Sequence, residues 1–222
     1  MPVRKIPRNY RGVTGVSPSR KSKDDAEFES LLEGEYLLIL DWDPEVKSFD
    51  VQPVTIPVPG RRNPYRPDVL VHFVDGATGQ SAKPLLVEVK PEQILKRDEA
   101  IFTPAFDAAK RLCRSNGWRF AVKTEKDIRT PHLAALRQLR DYRRREPPPA
   151  TEANLVLKAV AKLKTRATFA GVLEHLSDPD DQETILRWSP VLLTMIAHRQ
   201  LIVKLDAPVQ PDTRLSLPKV SP

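Results

Sequence analysis

Three residues that could assemble a hydrolytic metal site lie in two neighbouring apolar segments. Asp68 begins the first segment, and Glu88 and Lys90 lie at the end of the second. Because side chains alternate along a strand, Glu88 and Lys90 share one face of the strand predicted for 85–90. Two carboxylates with a divalent cation can activate water, and an ammonium beside them can orient it. The residue types and their spacing therefore indicate hydrolytic chemistry.

The two segments are predicted to pair as a hairpin. A strand is predicted for 67–74, and the Asp-Gly pair at 75–76 is a strong turn signal. Asp68 and Glu88 each lie ten residues from Thr78. A hairpin centred there sets the two carboxylates opposite one another, with Cβ atoms about 5 Å apart. Carboxylates that close repel each other unless one is protonated or a cation lies between them.

Oxygen-only ligands favour Mg²⁺ or Mn²⁺ over zinc. Glu33, beside the apolar stripe of the first predicted helix, would add a third acid. The predicted metal ligands are Glu33, Asp68 and Glu88, and Lys90 completes the predicted catalytic set. Spacing alone also allows a plainer interpretation, in which Asp68 and Lys90 form a cross-strand salt bridge on a surface hairpin.

Composition predicts a soluble cytoplasmic protein. The chain has 222 residues, 40 % of them hydrophobic, which suffices for one sizeable domain and a small one. No apolar run approaches the roughly 20 residues of a membrane span, and no signal-peptide pattern begins the chain. A single cysteine, Cys113, excludes an internal disulfide and a cysteine-rich zinc site.

Positive charge is concentrated at residues 1–23, which hold seven basic residues and no acid, whereas the net charge of the whole chain is +7. Rich in Pro, Gly and Ser, this segment is predicted to be a flexible arm. Such an arm suits contact with DNA phosphates, because binding releases condensed counterions, although a solubilising tail is the alternative. The predicted DNA contacts of the arm are Arg4, Lys5, Arg8, Arg11, Arg20, Lys21 and Lys23.

Hydrophobic periodicity and turn signals divide the remainder into two domains. The first, 24–146, is predicted to be mixed α/β. Its further elements are a helix at 24–41 capped by Ser22 and Asp25, an edge strand at 46–58, a helix at 103–116, a strand at 118–124 and a helix from Thr130-Pro131. A Pro-rich linker at 147–150 then precedes the second domain, 151–222.

The second domain has the element order of a winged helix. Helices are predicted at 151–164, 168–176 and 181–198, and strands at 201–205 and 214–217. Its charges nearly balance, so protein docking and DNA binding both stay open, and no base readout is assigned.

Several motifs resemble the TnsA endonuclease subunit of heteromeric transposases. They are 28–33 (FESLLE), 36–46 (YLLILDWDPEV), 52–53 (QP), 66–71 (RPDVLV) and 86–91 (LVEVKP). The resemblance implies a restriction-endonuclease-like mixed sheet flanked by helices, of the PD-(D/E)xK superfamily. It makes Glu33 the helix acid, Asp68 the central metal ligand, Glu88 the variable acid of the signature and Lys90 the catalytic lysine.

The same resemblance implies a Mg²⁺-dependent endonuclease that cleaves the 5′ strands at transposon ends. Its implied partners are double-stranded DNA, a DDE-type transposase that cuts the 3′ strands, and an AAA+ transposition regulator. Gln52 and Lys123 are further candidate DNA contacts, although Gln52 could simply end its strand. The alternatives are an autonomous restriction or repair endonuclease, and a non-catalytic DNA-binding assembly factor.

Overall fold

A four-stranded mixed sheet forms the centre of the first of two units, Met1–Thr130 and Pro131–Pro222. The computed structural model describes residues 15–17, 19, 21–22, 26–76, 82–177 and 182–218. The first unit contains β1 (Gly15–Ser17), β2 (Ala26–Phe28), α1 (Leu31–Trp42), β3 (Val46–Val51), β4 (Val69–Phe73), β5 (Leu85–Val89), α2 (Glu92–Arg97), α3 (Glu99–Asn116), β6 (Arg119–Lys123) and α4 (Glu125–Ile128).

The strands of this sheet follow the order β3-β4-β5-β6. The first two neighbouring pairs are antiparallel, whereas β5 and β6 are parallel. A parallel pair needs a crossover connection, and α3 lies within it and packs on β6. Helix α1 packs on β3 and β5. The predicted mixed sheet flanked by helices is therefore confirmed.

The pairing of β4 with β5 has the predicted register. Val69 pairs with Val87, Leu70 with Leu86, and Val71 with Leu85, so each pair is centred on position 78. The turn residues 77–81 lie outside the described part of the chain. This register places Asp68 opposite Glu88, one step beyond the last pair.

One apolar cluster covers the sheet face that carries Glu88. Leu70 and Leu86 pack there with Ala105 and Ala109 of α3, together with Ile56, Val58 and Tyr65 from the segment before β4. Leu86 and Ala105 are 0 % exposed. Because Leu86 and Glu88 are two residues apart on one strand, the carboxylate lies at the edge of this core rather than in solvent.

Helix α1 begins later than predicted. The helix was expected at 24–41, but Ala26–Phe28 is a strand paired with Gly15–Ser17, and Ser30 is the N-cap. Gly15 allows this pairing, since a Cβ there would lie 2.5 Å from the Phe28 ring. The arm predicted to be flexible therefore contributes a strand at 15–17.

Smaller differences appear on either side of the hairpin. β3 lies at the sheet edge as predicted, but it ends at Val51 because Gln52 adopts a left-handed φ of 46°. α3 begins at Glu99, four residues before the predicted Thr103. Helix α2 was not predicted, whereas Gly117 ends α3 in the left-handed conformation as expected.

The second unit contains four helices among its described residues. They are α5 (Pro131–Arg144), α6 (Ala150–Leu163), α7 (Phe169–Leu176) and α8 (Gln182–Ala197), and a 3-10 turn (Lys164–Arg166) follows α6. The unit boundary lies at 130/131 rather than at the Pro-rich segment 147–150, because α5 packs against α8. None of the helices that the structure describes is long and apolar enough to span a bilayer.

The strands predicted at 201–205 and 214–217 are reduced to isolated bridges. Ile202 pairs with Ser216, and Arg214 pairs with Thr168. Ile202 and Ser216 exchange two backbone hydrogen bonds, whereas the Leu215 N–H donates to the Ala167 carbonyl (2.8 Å) just before α7. The three predicted helices are present within two residues of their expected bounds, while the winged-helix assignment stays a prediction.

Candidate active site

Backbone hydrogen bonds from two neighbouring segments hold Asp68 where β4 begins. Its N–H donates to the Val87 carbonyl (3.1 Å), and its carbonyl accepts from the Gln52 N–H (2.8 Å). The side chain is also anchored, since the Val89 N–H donates to Asp68 Oδ2 (2.7 Å). The carboxylate therefore lies at a fixed position beside β5.

Glu88 lies deeper, with 2 % of its surface exposed. The Tyr65 hydroxyl donates to Glu88 Oε2 (2.8 Å), and Lys90 Nζ lies 3.2 Å from Glu88 Oε1. Lys90 Nζ is also 3.9 Å from Asp68 Oδ2. The structure thus brings Asp68, Glu88 and Lys90 together around one ammonium. The pair of Asp68 and Lys90 exists, but it belongs to a three-residue, mostly buried cluster rather than to a surface hairpin.

This cluster has two carboxylates and only one ammonium, so its negative charge is not fully neutralised. Burial raises the pKa of Asp68 well above its usual range, and the charge of Glu88 raises it further. Burial likewise raises the pKa of Glu88, although Lys90 and the Tyr65 hydroxyl oppose that shift. Burial alone would lower the pKa of Lys90, but the nearby carboxylates outweigh it and raise the value. Lys90 is therefore a stable cation, whereas each carboxylate favours a proton or another cation.

Glu33 lies in the first turn of α1, the first helix as predicted, and its carboxylate is hydrogen-bonded at that helix terminus. Its Oε1 accepts from Ser30 Oγ (2.9 Å), its Oε2 accepts from the Glu29 N–H (2.8 Å), and its own N–H donates to Ser30 Oγ (3.2 Å). Ser30 therefore caps the start of α1, and the Glu33 carboxylate is bonded to the cap hydroxyl and to the backbone just before it. The charge of Glu33 still raises the pKa of both Asp68 and Glu88, so its carboxylate is near enough to the cluster to act on it electrostatically.

The predicted three-acid metal set is consequently not assembled. Among the described residues, no three Asp, Glu, His or Cys side chains are grouped closely enough to hold a metal ion. The capping bonds keep the Glu33 carboxylate at its own helix terminus. Asp68 and Glu88 are therefore the two acids that the fold places together.

The donor set of Asp68 and Glu88 fits a hard divalent cation. Both offer carboxylate oxygens, the ligands that Mg²⁺ and Mn²⁺ prefer. When ionised, the carboxylates of Glu33, Asp68 and Glu88 carry three negative charges against the single positive charge of Lys90. One divalent cation would neutralise the difference.

Tyr65 is a residue of this site that sequence reasoning missed. It is 8 % exposed, its ring lies 6.2 Å from that of Phe106, and its hydroxyl donates to Glu88. Burial and the charge of Glu88 raise the pKa of the hydroxyl, so it remains a donor. The available signal was a single aromatic residue within a Pro- and Arg-rich segment three residues before Asp68.

The predicted DNA contacts have other partners wherever the structure describes them. The Lys21 ammonium donates to the carbonyls of Leu40 and Asp43, at the C-terminus of α1. Gln52 Nε2 donates to Glu29 Oε1 (3.2 Å), which supports a structural role for Gln52 at the end of its strand over contact with DNA. The other arm residues, Arg4, Lys5, Arg8, Arg11, Arg20 and Lys23, lie outside the described residues.

Lys123, the remaining predicted contact, lies on β6 next to the hairpin. Its Nζ is 3.7 Å from Asp127 Oδ1, and its backbone carbonyl accepts from the Lys90 N–H (3.0 Å). The carbonyl bond ties the end of β5, and with it Lys90, to the adjacent strand.

Comparison with known protein families identifies the domain that carries this cluster. Residues 43–125 match the family described as TnsA-like endonuclease N terminal. The match includes Asp68, Glu88 and Lys90, whereas Glu33 lies before it. A search of curated proteins found no match. The match supports the resemblance predicted from the motifs over residues 43–125, which are 83 of the 222 residues: this region is similar to a TnsA-like endonuclease N-terminal domain.

Proposed function

We propose that the chain is a Mg²⁺-dependent DNA endonuclease that cleaves the 5′ strands at transposon ends, together with a DDE-type transposase. The observation that supports it best is the convergence of Asp68, Glu88 and Lys90 at the open end of the β4–β5 hairpin. A salt bridge with a structural purpose alone would need one acid for one lysine. Here two buried carboxylates share one ammonium, and both have raised pKa values.

In this proposal Asp68 and Glu88 hold the divalent cation, and Glu33 contributes charge from the start of α1. A bound Mg²⁺ or Mn²⁺ lowers the pKa of a coordinated water and polarises a phosphoryl oxygen. The Tyr65 hydroxyl keeps one oxygen of Glu88 directed into the protein, which leaves the other to face Lys90.

Lys90 acts as a fixed cation in the reaction. Because its pKa is raised, its ammonium stays protonated and donates hydrogen bonds instead of accepting a proton. It orients the attacking water and stabilises negative charge on the phosphate. A bond forms between the water oxygen and phosphorus as the phosphorus–oxygen ester bond breaks. The attacking water gives up one proton to solvent, and the leaving oxygen takes up one proton from solvent.

The partners in this proposal rest on the family resemblance. A DDE-type transposase would cut the 3′ strands, an AAA+ regulator would govern the assembly, and double-stranded transposon ends would be the substrate. An autonomous restriction or repair enzyme could use the same three residues. The two functions differ in whether the chain cuts DNA without a transposase.

A strand-specific cleavage assay tests the proposal. Labelled transposon-end duplex is incubated with the full chain, its candidate transposase and Mg²⁺. Asp68→Ala is expected to abolish 5′-strand cleavage and to leave 3′-strand cleavage intact. Asp107→Ala, an exposed acid on α3, is the matched control and should cleave normally. Unchanged 5′ cleavage in Asp68→Ala would refute the proposal, and efficient plasmid cleavage by the chain alone would favour the autonomous enzyme.

A further inference from the structure

The segment before β4 forms a loop anchored at both ends in the core. Ile56 and Tyr65 exchange two backbone hydrogen bonds of 2.8 Å each. Ile56, Val58 and Tyr65 are buried in the apolar cluster that contains Leu86, while residues 59–64 are exposed. Residues 56–66 are called the arginine loop below.

The arginine loop carries three exposed cations, Arg61, Arg62 and Arg66. No acidic residue occurs between Asp50 and Asp68, so the loop has no carboxylate of its own. Its side-chain bonds are few: Arg61 reaches the Ile101 carbonyl (3.5 Å) and Arg66 the Thr55 hydroxyl (3.3 Å).

Both acceptors in those bonds are neutral oxygens, so they leave the charge of each guanidinium uncompensated. Within the described part of the chain, Arg62 has neither a hydrogen bond nor an ion pair. A fully hydrated arginine is common on surfaces, but three on one acid-free loop create a concentrated positive potential.

Proline and glycine restrict the backbone of this loop. Pro59 and Gly60 form the centre of a turn that is closed by a bond from the Arg61 N–H to the Val58 carbonyl (3.1 Å). Gly60 has a φ of 76°, as the third position of a type II turn requires. Pro57 and Pro64 fix two further φ angles. The arginines are therefore presented by a preorganised segment, which lowers the entropic cost of binding a ligand.

The loop is joined directly to the candidate active site. Tyr65, at its base, donates to Glu88, and Arg66 lies two residues before Asp68. The positive loop and the acidic metal site are thus adjacent along one short stretch of backbone. A phosphate chain that crosses the site would meet cations on the loop side.

We propose that the arginine loop binds the phosphate backbone of duplex DNA beside the phosphate to be cleaved. This inference rests on the proposed function, because it takes DNA as the substrate of the adjacent site. Arginine suits the task, since its planar guanidinium forms paired hydrogen bonds to phosphate oxygens and keeps its charge at any physiological pH. The contact fixes the position of the backbone and reads no base sequence.

Binding without cleavage tests the inference. The full chain is titrated against a fluorescent duplex in EDTA over a series of salt concentrations, with anisotropy as the readout. The double variant Arg61→Ala with Arg62→Ala should bind at least about tenfold more weakly at low salt, and its log–log salt slope should fall by up to about 1.8. The control variant, Arg111→Ala with Arg114→Ala, removes the same charge from the exposed surface of α3 and should keep most of the slope.

Two further variants make the result decisive. Replacing Arg61 and Arg62 by lysine should retain the slope, because the charge is kept. Arg62→Ala alone removes a side chain without a partner among the described residues, so it should fold normally and lower the slope by up to about 0.9.

Affinity and slope equal to those of the control would overturn the inference. If binding is normal while Asp68→Ala abolishes cleavage, the loop proposal alone fails. If binding is lost while Asp68→Ala still cleaves, the proposed function fails and the loop contact stands.

Discussion

Two clusters in the first unit are built from the same side-chain types but have opposite electrostatics. The hairpin cluster comprises Asp68, Glu88 and Lys90. The surface cluster comprises Glu92, Lys96 and Lys126, and there the two lysines lie 2.7 and 2.5 Å from the Glu92 oxygens. Hydrogen bonds to Lys126 and Lys96 lower the pKa of Glu92 to about 2.

The hairpin cluster reverses that ratio, since its two carboxylates share one lysine. Burial then raises the pKa of Asp68 and of Glu88, where water would have stabilised their charges. Ion pairing alone therefore does not identify a functional site. An excess of buried negative charge supports the proposed function, because a divalent cation would complete such a site.

The largest expected difference between the two clusters is in the rate of DNA cleavage after a lysine of each is replaced by alanine. Lys90→Ala is expected to slow DNA cleavage by roughly 10²- to 10³-fold, because it removes the cation that stabilises charge at phosphorus. Lys126→Ala removes one of the two lysines that pair with Glu92 and should leave the rate within about twofold, as expected for an exposed pair. Single-turnover cleavage of labelled duplex measures both. If both variants cleave DNA at the same rate, the hairpin cluster has no greater role in cleavage than the surface cluster.

A smaller effect is expected from the tyrosine that only the hairpin cluster contains. Tyr65→Phe removes one hydrogen bond to a carboxylate and should weaken Mn²⁺ binding about tenfold, measured by calorimetry. The cleavage rate at subsaturating Mn²⁺ should fall with it, whereas duplex affinity in EDTA should not change. Tyr142→Phe, on α5, is the control. Loss of duplex affinity with normal Mn²⁺ binding would show that Tyr65 does not position Glu88.

The smallest expected effect concerns thermal stability, which should depend on pH in opposite directions for the hairpin cluster and the surface cluster. The folded pKa values of Asp68 and Glu88 are raised, so their contribution is present at low pH and is lost as pH rises through those values. A metal replaces the missing positive charge, and Mn²⁺ should therefore raise Tm by more near pH 8 than near pH 5.5.

Glu92 behaves in the opposite sense, because its folded pKa is lowered to about 2. Its contribution is present above its usual pKa and is lost as pH falls toward that value. Any difference in Tm between Glu92→Gln and the unsubstituted chain should therefore vanish in acid and be independent of Mn²⁺. Thermal melts across pH, with and without Mn²⁺, measure both trends. A Mn²⁺ effect equal at both pH values would contradict the origin given for the raised pKa values.

The hairpin could be predicted from sequence because local signals determine it. The Asp-Gly signal at 75–76 predicts a turn between the strands, the symmetry of Asp68 and Glu88 about Thr78 centres the pairing, and the observed register agrees. A single-residue slip would have moved Asp68 to the other face of the sheet, so the register was a strict requirement. The juxtaposition of Asp68 with Glu88 and Lys90 follows from this register.

Features that depend on tertiary contacts could not be predicted in the same way. Both Ser22 with Asp25 and Ser30 with Glu33 satisfy the capping pattern, and the second begins α1 because 26–28 pairs with β1. Hydrogen bonds from the Ser30 hydroxyl and the Glu29 N–H then hold the carboxylate of Glu33 at the helix terminus. An acid that is both a good cap and a plausible ligand cannot be assigned from spacing.

Irregular backbone and helix packing explain the remaining differences. Tyr65 reaches Glu88 through a loop that has no periodicity, so no pattern indicated the contact. Helix α5 is amphipathic, and its sequence does not specify which unit its apolar stripe contacts. Its packing on α8 places the unit boundary before the helix instead of after it.

Anomalous scattering from a crystal of the full chain grown with Mn²⁺ would show whether Asp68 and Glu88 bind a divalent cation together. A manganese peak is expected within about 2.1 Å of carboxylate oxygens from both Asp68 and Glu88, with the Lys90 ammonium beside it. The same crystal form of Glu88→Gln should show a weaker peak or none. A chain that cleaves DNA in Mn²⁺ while its crystals show manganese elsewhere, or none at these two acids, would contradict the proposed metal site.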